Sequence, residues 1–245
     1  MRGNPVLGMK YFGRGFSLLS NKGLKKFVAF PILINALLMS ALIYSGGGWL
    51  VDKIQGLVEW LPSWLSWISW LLIPIAAITL VSVTLYFFSA VVNLIASPFN
   101  GLLSEAVETQ TTGDVIPEES YSMLISRTLQ RELKKLLYFI PRYIVLLIIS
   151  FIPVVNVISP FLWFAFGAWV LTLQYLDYSL DNNGHDFADL HKALKIQPLT
   201  TLGFGFIVAV CFMIPILNLF AMPAAVCGAT LYWCEQIKPQ FYNIK

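Results

Sequence analysis

The sequence predicts an all-α integral membrane protein: a single membrane domain over residues 1–245, with two long transmembrane helices, two proline-broken re-entrant hairpins and an amphipathic interfacial helix. Three observations predict it. The chain is 58% apolar and only 12% charged, with a strongly positive mean hydropathy, and no soluble domain of this size needs so much apolar surface. Four runs carry no charged residue, Phe27–Val51, Trp60–Ser104, Tyr143–Leu176 and Ile196–Cys234, and each exceeds the ~20 residues of a spanning helix. The last two runs are interrupted in the same way. Phe151-Ile152-Pro153-Val154-Val155-Asn156 is echoed by Met213-Ile214-Pro215-Ile216-Leu217-Asn218, and a second proline closes each copy, Pro160 and Pro223.

Residues 1–26 read as a lead-in at the lipid headgroups, where Tyr11, Phe12, Phe16, Leu18 and Leu19 offer an apolar face between basic residues. Ser20-Asn21 is a plausible N-cap for a helix opening near Lys22. The first transmembrane helix is expected over 27–50, with Pro31 in its first turns and Gly46-Gly47-Gly48 at its end. Trp60, Trp64, Trp67 and Trp70 then share one helical face, as an aromatic belt at the membrane interface does. The second transmembrane helix is expected over 71–95, with a break across Asn93–Gly101. Polar and amphipathic helices follow over 105–140. Leu124, Leu129, Leu133, Leu136 and Leu137 form their apolar positions, and Arg127, Arg131, Glu132, Lys134 and Lys135 their polar ones.

The first broken hairpin is expected over 143–176. Its leading arm, Tyr143–Ile152, covers about 15 Å, half of a ~30 Å hydrocarbon core. Backbone freed by such a break survives in lipid only where protein buries it or a wet cavity solvates it, which suggests a solute path. A pair of kinked transmembrane helices is the alternative reading. Asp177–Lys195 reads as a solvated loop with an Asn182-Asn183-Gly184 turn, the second hairpin runs over 196–234, and a polar tail follows. Lysine and arginine crowd the N-terminus, with Lys53 alone in the first connection, so the N-terminus is expected inside. The overall bias is modest enough to leave both insertion orientations open.

Several function classes lack support. The basic excess does not continue into a stripe, so no nucleic acid is expected as partner. Cys211, Cys227 and Cys234 match no zinc or redox spacing and read as packing residues. His185, His191 and the acids around them lack metal-ligand spacing, so neither metal nor cofactor is expected. No nucleophile elbow or phosphate loop is present, so the chain reads as a non-enzyme, with catalytic residues none. A non-transporting scaffold or regulatory protein of the membrane remains an alternative.

Two features carry binding chemistry. Gly23, Leu24, Lys25 and Lys26 stand where a membrane-entering helix begins. Free N–H groups and the positive helix end favour an anion there, and Gly23 permits close approach. Lysines flanking a spanning helix as anchors are the competing reading. The second feature is a set of asparagines near prolines at membrane depth, Asn35, Asn93, Asn100, Asn156 and Asn218. These could line a polar path or bond between helices. No acidic residue lies within the charge-free runs, which suits a path for an anion.

Gly23-Leu24-Lys25-Lys26-Phe27 with Pro31 and Asn35 resembles the opening signature of the CysZ-type bacterial sulfate permeases. The resemblance continues through Ser97-Pro98-Phe99-Asn100-Gly101-Leu102-Leu103-Ser104-Glu105, Arg131-Glu132 to Pro141-Arg142, Phe151-Ile152-Pro153, Gln174-Tyr175-Leu176-Asp177-Tyr178 and Ile214-Pro215-Ile216-Leu217-Asn218-Leu219 to Pro223–Thr230. It covers nearly the whole chain in order. It implies channel-like uptake of sulfate, with sulfite as a second oxyanion, across the bacterial inner membrane for cysteine biosynthesis. It also implies part-penetrating helices and a homo-oligomer with protomers in opposed orientations. The family's basic pair in sulfate binding falls on Lys25 and Lys26. Many relatives carry arginine there, and lysine lacks its planar two-point grip on an oxyanion.

Overall fold

A computed structural model describes residues 3–21, 23–60, 62–64, 69–114 and 120–244. Every regular element among these residues is helical. The sequence positions Lys22 and Trp67 lie outside them, as do the side chains of Asn35 and Asn93 within their helices.

The chain divides into two compact units, residues 30–96 and residues 1–29 with 97–245. Helix α2 (Lys25–Trp60) and helix α3 (Ser69–Thr112) supply the smaller unit. Its surface is apolar: Leu33, Leu37, Ile43, Tyr44, Ile75 and Ile78 are all exposed, and so are Trp60, Trp64 and Trp70. Four hydroxyls on this surface bond back to their own helix. Ser40, Ser45, Thr79 and Thr84 each donate to the carbonyl four residues earlier. A hydroxyl bonded in this way needs no outside acceptor in an apolar solvent. Among the described residues no single helix is long and apolar enough to cross a membrane. Shorter apolar stretches cover Ala36–Gly46 and Ile73–Thr84.

The larger unit begins with α1 (Pro5–Leu18), opened by an Asn4 cap and by proline in the first turn. It packs on α7 (Pro198–Phe212) and α8 (Pro215–Tyr232). Tyr11 and Phe12, expected at the headgroups, are buried here against Tyr232 and Phe204, while Phe16 stays exposed. Glycine makes this possible. A Cβ on Gly8 would strike the Thr200 carbonyl, and one on Gly15 the Ala224 carbonyl and the Gly228 backbone. Small residues let helix backbones approach at van der Waals distance. Arg14 and the Tyr11 hydroxyl close the joint on Glu235.

Helix α4 (Tyr121–Ser150) carries Pro141 within it, although the sequence suggests an end there, and α3 likewise runs past Pro98. Buried anchors on both sides hold the helices through the prolines: Ser97 and Asn100 in α3, Phe139 and Leu146 in α4. A single turn of 3₁₀ helix at Val155–Val157 separates α4 from α5 (Ser159–Asn182), so the break falls at the first proline of the echoed motif. Val154, 85% exposed at its tip, has φ 72°, a conformation that crowds a β-branched side chain. The second echo breaks at Met213–Ile214, and Pro215 opens α8. The closing prolines differ: Pro160 lies in the first turn of α5, whereas Pro223 lies inside α8.

The segment expected as a loop after Leu176 is largely helical. Helix α5 continues to Asn182, Gly184 turns with φ 70°, and α6 (Phe187–Ile196) follows. Helices α6 and α7 together have the length and apolarity of a span but are bent by 103° at Gln197. A stretch of π-helix, Trp233–Ile237, and α9 (Lys238–Ile244) end the described chain.

Helix α4 is inside out. Ile125, Leu129, Leu133, Leu136, Ile140, Ile144 and Leu147, spaced three or four apart, are all exposed. Lys135 and Thr128 are buried on the opposite side. Leu124, Phe139 and Leu146 are buried, but in water the exposed stripe would contribute no hydrophobic stabilisation; it suits an apolar surrounding.

Candidate functional site

The start of α2 is built by Asn21. Its backbone carbonyl accepts the Leu24 N–H at 3.0 Å and the Lys25 N–H at 3.2 Å. Its Oδ1 accepts the Gly23 N–H at 3.3 Å, and its Nδ2 donates to Gln110 Oε1 at 3.1 Å. Leu24 is fully buried and anchors the turn. Gly23, Lys25 and Lys26 are exposed, and no acidic residue stands in the first helical turn. Gln110 lies over Gly23, where an added Cβ would come within 3.1 Å of its Nε2. The Gly23 and Lys25 amides are therefore engaged by Asn21. What the site presents outward is two lysine side chains beside a glycine.

The asparagines occupy unlike surroundings. Asn100 is buried, with Nδ2 donating to the Tyr178 hydroxyl at 3.4 Å. Asn156 and Asn218 are exposed, each in the turn after its proline break, with backbone N–H donating to Ile152 and Ile214. Asn100 thus differs from these two in burial.

Beside Asn100 lies a charged interior. On α4, Arg127, Arg131 and Lys135 form a stripe at four-residue spacing; on α5, Asp177 and Asp181 form its acidic counterpart. Arg131 Nε donates to Asp177 Oδ1 at 2.8 Å, and its Nη1 to Asp181 Oδ1 at 2.9 Å and to the His185 carbonyl at 2.6 Å. Its Nη2 lies 2.7 Å from Asp177 Oδ1, close but off the hydrogen-bonding direction. Arg127 pairs with Asp181 Oδ2 at 2.6 Å. The Lys135 side chain, 2% exposed, donates to Glu132 Oε1 at 2.6 Å, lies 3.3 Å from Asp177 Oδ2 and faces the Tyr178 ring at 5.1 Å. Ser97 Oγ donates to Glu132 Oε1 at 2.7 Å. Three cations thus face three carboxylates. Charges withdrawn from water are tolerated when paired and hydrogen-bonded in this way.

A second buried carboxylate, Glu108, accepts from Asn183 Nδ2 and from Lys238 Nζ at 2.8 Å, and Lys238 also reaches Asp114 at 3.0 Å. Burial opposes the charge on Lys238, yet the two carboxylates hold its ammonium above the ordinary value. Near α1, the Arg14 guanidinium holds the Glu235 carboxyl below its ordinary range.

Sequence reasoning left this interior unrecognised, taking α4's charges as a solvated face and the α5 acids as loop residues. Its signal is present nonetheless: basic residues at 127, 131 and 135 match acidic residues at 177 and 181 in period and sign. Among the described residues no group of histidine, cysteine and acidic side chains is arranged to hold a metal ion.

Among the described residues the chain is all-helical, with a buried charge cluster between α4 and α5 and an exposed apolar stripe on α4, an arrangement that suits an α-helical membrane protein with a polar interior. The family model described as "Sulfate transporter CysZ/Etoposide-induced protein 2.4" matches residues 11–223, and the chain belongs to that family. The family is one of transporters, not enzymes, and of membranes. Three stretches that carry the sequence resemblance, Ser97–Asn100, Arg131-Glu132 and Gln174–Tyr178, meet in the charged interior.

Proposed function

We propose that the chain is a channel-like sulfate permease of the bacterial inner membrane, supplying sulfate for cysteine biosynthesis and admitting sulfite by the same chemistry. Family membership over residues 11–223 supports a sulfate-transporter role. The observation that carries the substrate is the start of α2, where exposed Lys25 and Lys26 stand beside Gly23 without an acidic neighbour in the turn. A divalent oxyanion is drawn to two adjacent ammonium groups at the positive end of a helix.

In this reading residues 27–50 and 71–95 span the bilayer. Residues 143–176 and 196–234 enter and return as broken hairpins, and a homo-oligomer, with protomers in opposed orientations, is the working form. Lys25 and Lys26 collect the anion, and Asn35, Asn93, Asn100, Asn156 and Asn218 offer amide donors to it. Several weak sites in place of one tight site allow release, as conduction requires. The sequence carries no nucleotide-binding loop, so any uphill transport would need coupling to an ion gradient or to the membrane potential.

The test is entry of labelled sulfate into liposomes holding the purified protein, beside Lys25→Ala/Lys26→Ala. Flux in the parent that is reduced in the variant and competed by sulfite is the expected result. Equal flux in both sinks the lysine site; folded protein with no flux above empty liposomes sinks the permease and returns the scaffold reading.

A further inference from the structure

Beside the outward apolar stripe of α4, a cleft of about 170 Å³ opens between α4 and the start of α6. Arg127, Gln130, Arg131 and Lys134 line one wall, at the spacing of a single helix face. Asp181, Gly184, His185, Asp186 and Phe187 line the other. Arg127 and Arg131 are committed to Asp181 and Asp177. Two exposed charges of opposite sign remain, Lys134 and Asp186, and neither makes an ion pair among the described residues. Asp186 occupies the N-cap position of α6, where an aspartate normally turns its carboxylate onto the helix, yet it makes no capping hydrogen bond. The cleft thus presents an ammonium on one wall and a carboxylate on the other. Exposed Leu133 and Leu137 continue from its α4 wall.

We propose that this cleft is a binding site for a zwitterionic phospholipid with a primary-amine headgroup. The lipid phosphate lies against Lys134 and Gln130, its ammonium against Asp186, and its acyl chains along Leu133, Leu137 and the rest of the α4 stripe. Charge complementarity selects the headgroup: a purely anionic head leaves Asp186 facing negative charge. A quaternary amine has no N–H to donate to it. The stripe selects a lipid over a soluble zwitterion. The site rests on the membrane placement above but not on the sulfate reading.

The experiment is native mass spectrometry of the full chain in detergent, titrated with phosphatidylethanolamine, phosphatidylcholine and phosphatidylglycerol of equal short chain length. Phosphatidylethanolamine is expected to bind about fivefold tighter than the other two, the effect of one semi-exposed ion pair. Asp186→Asn is expected to erase that preference, and Lys134→Gln to weaken the ethanolamine and glycerol lipids together. Both positions are exposed, so the variants should fold; their thermal unfolding beside the parent checks it. Equal binding of the three lipids by the parent, or a preference that survives Asp186→Asn, overturns the proposal. Free phosphoethanolamine binding as tightly as the lipid overturns the lipid as occupant. Because the readout is binding, absent sulfate flux in the same preparation would sink the permease reading and leave this one standing.

Discussion

Lys135 shows what a single side chain must satisfy in this interior. Its ammonium is withdrawn from water and held by Glu132 and Asp177. Lys135→Met leaves Asp177 short of a partner and is expected to cost about 3–5 kcal/mol of stability, read by thermal or denaturant unfolding in detergent. Adding Asp177→Asn should recover part of that loss, a non-additivity that only a direct contact produces. Glu235 makes a different prediction, through pH. Its folded pKa lies below the ordinary glutamate value of 4.5 because Arg14 holds the carboxylate. The stability it contributes is therefore complete above the unfolded value and is lost as pH falls through the lower folded one. Hydrogen-exchange protection factors in α1, corrected for the intrinsic rate, should fall across that acid window, and Glu235→Gln should remove that pH dependence. Val154 stores local strain: Val154→Gly relieves a positive φ and is expected to be neutral or stabilising by up to about 1 kcal/mol, against the usual loss at a glycine substitution.

At the scale of elements, the joint of α1 with α7 and α8 depends on missing Cβ atoms. Gly15→Ala drives a methyl into the backbone at Ala224 and Gly228 and should loosen α1, seen as faster limited proteolysis near residues 5–18. Gly13→Ala, on the open face of the same helix, should not. Helix existence was legible along most of the chain, because apolar period and length announce it. Two boundaries were not. Proline at 98 and 141 argues for an end, but buried contacts on either side outweigh a local penalty of ~3 kcal/mol per proline. The segment after Leu176 is polar and turn-rich in composition, so it reads as solvated. Its acids are instead matched to α4, and that match is visible only when two helices 46 or more residues apart are compared.

For the whole molecule, the informative asymmetry is which face of each helix looks outward. Leu133→Cys on the α4 stripe, in protein whose native cysteines are replaced, should resist a membrane-impermeant maleimide in proteoliposomes. Lys192→Cys, on exposed α6, should react. The candidate anion site was legible as a sequence position, since a glycine and two lysines at a helix start carry their chemistry locally. What the sequence did not reveal is that Asn21 occupies the Gly23 and Lys25 amides, a choice made by side-chain geometry. The asparagines illustrate the same division. Their proximity to prolines is plain in the sequence, whereas the burial of Asn100 and the exposure of Asn156 and Asn218 depend on packing from distant segments.

The paired stripes of α4 and α5 constrain how the chain is made. Arg131 leaves the ribosome 46 residues ahead of Asp177 and 50 ahead of Asp181. During that interval Arg127 and Arg131 lack their α5 carboxylates, while Lys135 has only Glu132 of its own helix. Such a helix rests at the headgroups, where the cations stay solvated. In the membrane placement proposed above, it is expected to sink with its charges inward only when α5 arrives to neutralise them, which would make insertion of these two helices a joint, late event. Glu108 waits longer still: its cation, Lys238, is synthesised 130 residues after it.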